Sequence, residues 1–231
     1  MSSIPNNLQA VHAQIIAAAR SARRDPDTVI LLAVSKTFGA DAVIEAAQAG
    51  QRSFGENYVQ EAVDKIAELR RDRPDLLLEW YFIGPIQSNK TRQIAENFDW
   101  VHTIEREKIA HRLAEQRPAH LSPLNVCLQV NISGESTKSG VTPEELLPLA
   151  QAVAAMPRLT LRGLMAIPEP AATFEQQRVP FRQLYQLYET LRAQGLPLDT
   201  LSMGMSADMS AAIAEGATIV RVGTAIFGKR T

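Results

Sequence analysis

Short apolar segments alternate with helical patterns along the whole chain, and that alternation constrains the fold more than any other feature. Strand patterns occur at 29–36, 52–54, 79–83, 100–103, 125–130, 160–163, 200–202 and 218–222. Helical patterns lie near 57–71, 88–97, 105–116, 143–155, 174–194 and 206–215. Another helix runs over 42–47, with Asp41 as its N-cap and Gly50 as its stop. An opening helix over 5–22 carries Leu8, Val11, Ile15 and Ala19 at helical spacing, with Pro5 in its first turn. Strands that alternate with helices argue for a parallel sheet covered by helices. About eight strands, each but the last followed by a helix, suit a single α/β domain over residues 1–231, a (β/α)8 TIM barrel with an extra N-terminal helix that caps or flanks it. An open doubly wound sheet is the alternative, but no Gly-rich dinucleotide fingerprint follows the first strand.

Composition narrows the class. Hydrophobic residues make up 45% of 231, enough for a sizeable core, and 24 basic residues nearly balance 25 acidic ones. The net charge of −1 gives no global attraction to nucleic acid or membrane. The single cysteine, Cys127, allows no disulfide within the chain, which favours a reducing compartment; set in an apolar run, it reads as a small core residue. The start of the chain has neither a basic nor an apolar stretch of the secretory kind, and no apolar segment reaches membrane-spanning length. A soluble cytoplasmic protein is expected.

Lys36 ends the run Val29-Ile30-Leu31-Leu32-Ala33-Val34-Ser35, whose composition suits a parallel strand buried on both faces. Period 2 places it on the face of Ile30, Leu32 and Val34. An ammonium there either snorkels to solvent, pairs with a carboxylate, or serves chemistry, because a desolvated lysine becomes a nucleophile able to form a Schiff base. In a barrel the chemistry sits at the C-terminal ends of the strands. Lys36 is at one such end, as are Gly55-Glu56-Asn57, Gly84-Pro85, His102, Asn131 and Met165.

Two further segments follow the seventh and eighth strands. Ser202-Met203-Gly204-Met205-Ser206-Ala207-Asp208 leads into a helix, which Ser206 can cap unless its hydroxyl serves an anion. Arg221-Val222-Gly223-Thr224 repeats the small, donor-rich chemistry on the next strand. Barrels often bind phosphate with these two loops, although Gly and Ser are also ordinary turn residues. A lysine and a phosphate cup on one rim suggest pyridoxal 5′-phosphate (PLP), with the lysine holding the aldehyde. Arg221 has the inward parity of Ile219 and Gly223. A cation there would hydrogen-bond the pyridine nitrogen and weaken the ring as an electron sink; a rim salt bridge with Asp208 or Glu215 is the plain alternative.

Taken together, Leu32-Ala33-Val34-Ser35-Lys36-Thr37, Phe54-Gly55-Glu56-Asn57-Tyr58-Val59-Gln60-Glu61 and Phe82-Ile83-Gly84-Pro85-Ile86-Gln87-Ser88-Asn89-Lys90 resemble the pyridoxal-phosphate homeostasis proteins, relatives of the alanine racemase barrel. So do Thr137-Lys138-Ser139-Gly140, Leu161-Arg162-Gly163-Leu164-Met165-Ala166-Ile167-Pro168, Met203-Gly204-Met205-Ser206-Ala207-Asp208-Met209 and Val220-Arg221-Val222-Gly223-Thr224-Ala225-Ile226-Phe227-Gly228. The resemblance implies a fold-type III barrel and PLP held by Lys36, with Asn57 near the cofactor and Arg221 at its ring nitrogen. It implies Ser206, Gly223 and Thr224 around the phosphate. It also implies a role in PLP, vitamin B6 and amino-acid homeostasis rather than a defined reaction, with PLP-dependent apo-enzymes as recipients. The chain departs from the family pattern at Tyr81, where a histidine usually precedes Phe-Ile-Gly, and at Phe38-Gly39, which replaces a polar or basic residue followed by proline.

The competing reading is a PLP-dependent amino-acid racemase. It needs a second base beside Lys36, which alanine racemases take as a tyrosine from a second domain. The chain ends at Thr231, just after the eighth strand, and Tyr58 and Tyr81 are the strand-end tyrosines that would have to substitute. A phosphate-sugar enzyme without PLP would need paired carboxylates, and only Glu56 offers itself. No catalytic residue is therefore assigned. His102 reads as a hydrogen-bonded loop residue. His12, His111 and His120 show no ligand spacing, so no metal is expected. Lys90 and Arg92, after the N-cap candidate Ser88, read as a solvated face, and Lys138 as a surface lysine on the cofactor side. The expected state is a monomer that binds neither nucleic acid nor membrane.

Overall fold

The computed structural model describes residues 3–134 and 139–229. Eight parallel strands close into a barrel in sequence order: β1 (Ile30–Val34), β2 (Ser53–Glu56), β3 (Glu79–Phe82), β4 (Trp100–Ile104), β5 (Leu124–Gln129), β6 (Leu159–Met165), β7 (Thr200–Met205) and β8 (Ile219–Val222). Closure runs through β1 and β8, with Leu32 opposite Arg221. The helices are α1 (Ile4–Ser21), α2 (Ala40–Gln48), α3 (Val59–Asp72), α4 (Thr91–Asn97), α5 (Glu107–Gln116), α6 (Pro143–Ala154), α7 (Phe174–Ala193), α8 (Met209–Ala214) and α9 (Thr224–Phe227). This is the expected (β/α)8 barrel. The last strand does have a helix after it, the single turn α9, too short for its periodicity to show in sequence.

Each strand serves two layers. Residues of one parity, such as Ala33, Phe54, Phe82 and Val101, pack against the surrounding helices. The other parity fills the lumen with Leu32, Val34, Tyr81, Ile83, Trp100, Cys127, Met165 and Ile219. Ile30 shares the lumen parity but sits half-exposed at the open N-terminal mouth. The lumen is full. A methyl group added at Gly55 would stand 3.1 Å from Ile83 and 3.3 Å from Leu32. The extra helix α1 flanks the barrel, burying Leu8, Val11, Ile15 and Ala19 and packing against α8, α9 and α2. Full burial of a Leu, Val or Ile contributes about 1.5–3 kcal/mol. Polar contacts fix its register, with Asn7 Nδ2 donating to Ile226 O at 2.8 Å.

Some local expectations change. Gly39, not Asp41, caps α2, and Asp41 lies in the first turn, where its carboxylate faces the positive helix end. Ser88 opens a 3-10 turn rather than capping α4. The strand β7 runs three residues beyond its expected end. Met203-Gly204-Met205 reads as a loop because of its glycine, yet Gly204 adopts φ +94° within the strand, at a register shift between Ser202 and Met205. A Cβ at Gly204 would lie 2.5 Å from Ala212 Cβ, so the bare glycine lets α8 seat on the strand end. Among the described residues, no helix is long and apolar enough to cross a membrane.

Candidate functional site

Lys36 stands two residues beyond β1, half-buried at the C-terminal mouth. The ladder extends toward it through Ser35 N–H, which donates to Gly55 O at 3.0 Å, and the turn closes as Phe38 N–H donates to Ser35 O at 3.0 Å. The lumen parity of Leu32 and Val34 is thus carried to the rim. Thr37 follows at φ +70°, an uncommon conformation for a β-branched residue.

Arg221 points into the lumen. Its Nη1 donates to Ser202 Oγ at 2.7 Å and its Nη2 to Ala166 O at 2.9 Å. Burial pushes its pKa down to about 10, opposed by the nearby charge of Asp208, so it remains a cation at neutral pH. Glu215 is engaged elsewhere, by Arg178 at 2.6 Å and Arg182 at 2.9 Å, so Arg221 is not a rim salt bridge with it. Ser202 and the Ala166 carbonyl, which aim the guanidinium, escaped sequence reasoning. Period 2 along β7 would have put Ser202 inward, but nothing linked it to Arg221.

Ser206 lies exposed in the turn after β7. It does not cap α8; the N-cap residue is Asp208, whose Oδ1 accepts the Met205 N–H at 2.6 Å. Gly223 precedes α9 and Thr224 begins it, exposed. A Cβ on Gly223 would come within 3.2 Å of Val34 O, so the β8 end lies against the end of β1. Asn57 follows β2, half-buried, with a buried Oδ1 that has no hydrogen-bond partner among the described residues. It borders a rim cavity of about 310 Å³ that also reaches Thr103, Glu105 and Gln129. Lys36, Asn57, Ser206, Arg221, Gly223 and Thr224 therefore occupy one arc of consecutive strands, β7–β8–β1–β2.

Other candidates are placed differently. Tyr81 is not at the rim. Its ring stacks on Trp100 in the lumen and its hydroxyl donates to Glu79, the first residue of β3, at the barrel end opposite Lys36. Burial and Glu79 raise the Tyr81 pKa, so it offers no base to the rim. Tyr58 is half-exposed beside Asn57. His102 is not a loop residue but fully buried in β4, edge-on to Tyr81 and Trp100, with no hydrogen-bond partner on either ring nitrogen among the described residues. Burial, then the charge of Arg221, pushes its pKa down to about 3. Glu56 turns away from the lumen and pairs with Lys65 at 2.7 Å. Burial raises the Cys127 thiol pKa, consistent with a core residue. Arg92 lies on an exposed face, 3.8 Å from Glu96. Lys138 is outside the described residues.

The family model that matches is the alanine racemase N-terminal domain, over residues 7–231. The chain is 62% identical over 230 residues to the pyridoxal phosphate homeostasis protein of Pseudomonas aeruginosa, covering 100% of this chain and 97% of that one. It belongs to the pyridoxal phosphate homeostasis protein family. The family member from Vibrio cholerae is 56% identical over 230 residues, with 100% and 98% covered. Among solved structures, PipY of Synechococcus elongatus with PLP bound aligns at TM-score 0.80 and 40% identity, covering 94% of this chain and 100% of that one. That kinship covers the whole arc from β7 to β2.

Proposed function

We propose that this chain holds PLP as a Schiff base on Lys36 and serves PLP, vitamin B6 and amino-acid homeostasis inside the cell, passing the cofactor to PLP-dependent apo-enzymes. The observation that carries the reading is the arc itself: a strand-end lysine, an inward arginine and a donor-rich pair of loops on four neighbouring strands. The residues fit the group. Asn57 Oδ1 is a buried acceptor without a partner among the described residues, and bare Gly223 leaves the mouth beside Val34 open. When bound, PLP supplies an aldehyde that captures amines and a ring that withdraws electrons from them.

The chain's own residues would divide the work. Lys36 presents its amine at the mouth. Ser206, Gly223 and Thr224 supply hydroxyl and backbone donors for a phosphate. Arg221, fixed by Ser202 and Ala166, would hold a positive charge toward the ring nitrogen of bound PLP and oppose its protonation. That arrangement favours holding the cofactor over turning over amino acids. Of the two tyrosines that could supply a racemase's second base, Tyr81 is directed to the far end of the barrel.

The test is the spectrum and the attachment point. Purified protein with PLP should show a visible absorption band that Lys36→Ala abolishes. Borohydride should fix the cofactor to the peptide containing Lys36. Recovery of the adduct mainly on another lysine would overturn the assignment.

A further inference from the structure

The backbone on both sides of Lys36 is gripped by one helix. Lys65 Nζ, on α3, donates to Ser35 O at 3.0 Å. Glu61 Oε1, one turn earlier on α3, accepts the Thr37 N–H at 2.6 Å. The two side chains pair with each other at 3.2 Å. Lys65 is also anchored to Glu56 Oε1 at 2.7 Å, and that same oxygen accepts the Ser35 hydroxyl at 2.7 Å. Lys65 and Glu56 are almost wholly withdrawn from solvent.

Such a cluster is a poor way to hold a barrel together. Desolvating two charges offsets most of their attraction, and an apolar pair of equal volume would serve the core as well or better. The left-handed Thr37 points the same way. A β-branched residue persists at φ +70° only where its surroundings over-determine it. Three of the cluster's contacts, to the Ser35 carbonyl, the Ser35 hydroxyl and the Thr37 N–H, bear on the two residues that flank Lys36. We propose that Lys65 and Glu61 are positioning residues: together with Glu56 they clamp the Ser35–Thr37 backbone, so that Lys36 presents its amine to the carbonyl carbon of bound PLP. This rests on Lys36 being the PLP lysine.

The experiment compares two ligands that differ at one group. PLP carries the aldehyde; pyridoxine 5′-phosphate carries a hydroxymethyl group there and can use only the ring and phosphate contacts. The proteins are the wild type, Glu61→Ala, and the double variant Glu56→Gln with Lys65→Met, which removes the buried charges together. Both variants should bind pyridoxine 5′-phosphate within about threefold of wild type but PLP about tenfold or more weakly. Borohydride should also label Lys36 more slowly in both. Should the double variant not fold, Glu61→Ala, whose side chain is partly exposed, decides the matter alone. Unchanged PLP affinity would overturn the clamp. So would equal weakening of both ligands, which marks a merely structural role. A wild type that gives no Lys36 adduct would bring down the PLP reading and the clamp with it; an adduct in the wild type with unaltered variants would bring down only the clamp.

Discussion

His102 is the residue at which sequence and environment disagree most. An imidazole with no hydrogen-bond partner among the described residues, in a filled lumen, stays neutral, because charging it there would mean desolvating a cation beside Arg221. Its pKa falls from an ordinary 6.5 to about 3. The unfolded chain protonates this histidine below pH 6.5 and the folded chain does not. Its contribution to stability is therefore complete above that pH and is lost as the pH falls from 6.5 toward 3, by up to about 1.4 kcal/mol per pH unit. Urea unfolding at pH 7.0 and 5.5 should show that loss in the wild type. In His102→Phe, which keeps an aromatic ring in the lumen, the histidine's share of the pH dependence should vanish. Equal pH slopes in the two proteins would contradict a neutral, buried His102.

At the scale of elements, the end of β7 is set by one missing side chain. Gly204 combines a left-handed φ with a contact that no Cβ can enter, since Ala212 would be 2.5 Å away. Gly204→Ala must either push α8 off the barrel or flatten the shift in β7. A cost of about 1–3 kcal/mol is expected from the backbone alone, with overpacking added. The midpoint of denaturant unfolding should fall accordingly. PLP affinity should fall as well, because Arg221 leans on Ser202 and Ser206 follows the same strand end. Full affinity at reduced stability would show that the strand end does not shape the site.

For the whole molecule, the barrel puts two sets of polar groups at opposite ends. The C-terminal mouth carries Lys36, Arg221 and the two loops. The N-terminal mouth carries Glu79, which takes the Tyr81 hydroxyl and, at 3.0 Å, Trp100 Nε1. A second base for Cα chemistry would have to come from the rim, where Tyr58 is the exposed tyrosine. PLP-loaded protein incubated with L-alanine in deuterated water should exchange the Cα proton far below the median enzyme rate of about 10 s⁻¹. It should instead release PLP to an apo-enzyme. Rapid exchange with formation of D-alanine, both removed by Tyr58→Phe, would establish a racemase.

Much of this was legible in the chain itself. The alternation of periods 2 and 3.6 specified a parallel sheet, because each strand needs a helix to cover its outer face and a parallel return to reach the next strand, and the count of about eight strands favoured its closure into a barrel. Strand parity assigned Lys36 and Arg221 to the lumen side, and the order of segments put the six candidate residues at C-terminal strand ends. These are local properties, carried by spacing. What packs beside what was not local. The partners of Arg221 come from β7 and from the residue just after β6, and the grip on Ser35 and Thr37 comes from α3. Tyr81 shares the parity of Ile83, yet its long side chain reaches back to Glu79, a direction that parity does not encode. Likewise His102 sat where a strand end was expected, but its burial without a hydrogen-bond partner among the described residues depended on Tyr81 and Trp100 packing against it in the closed lumen. Periodicity decides which face a residue occupies; only the closed barrel decides what that face meets.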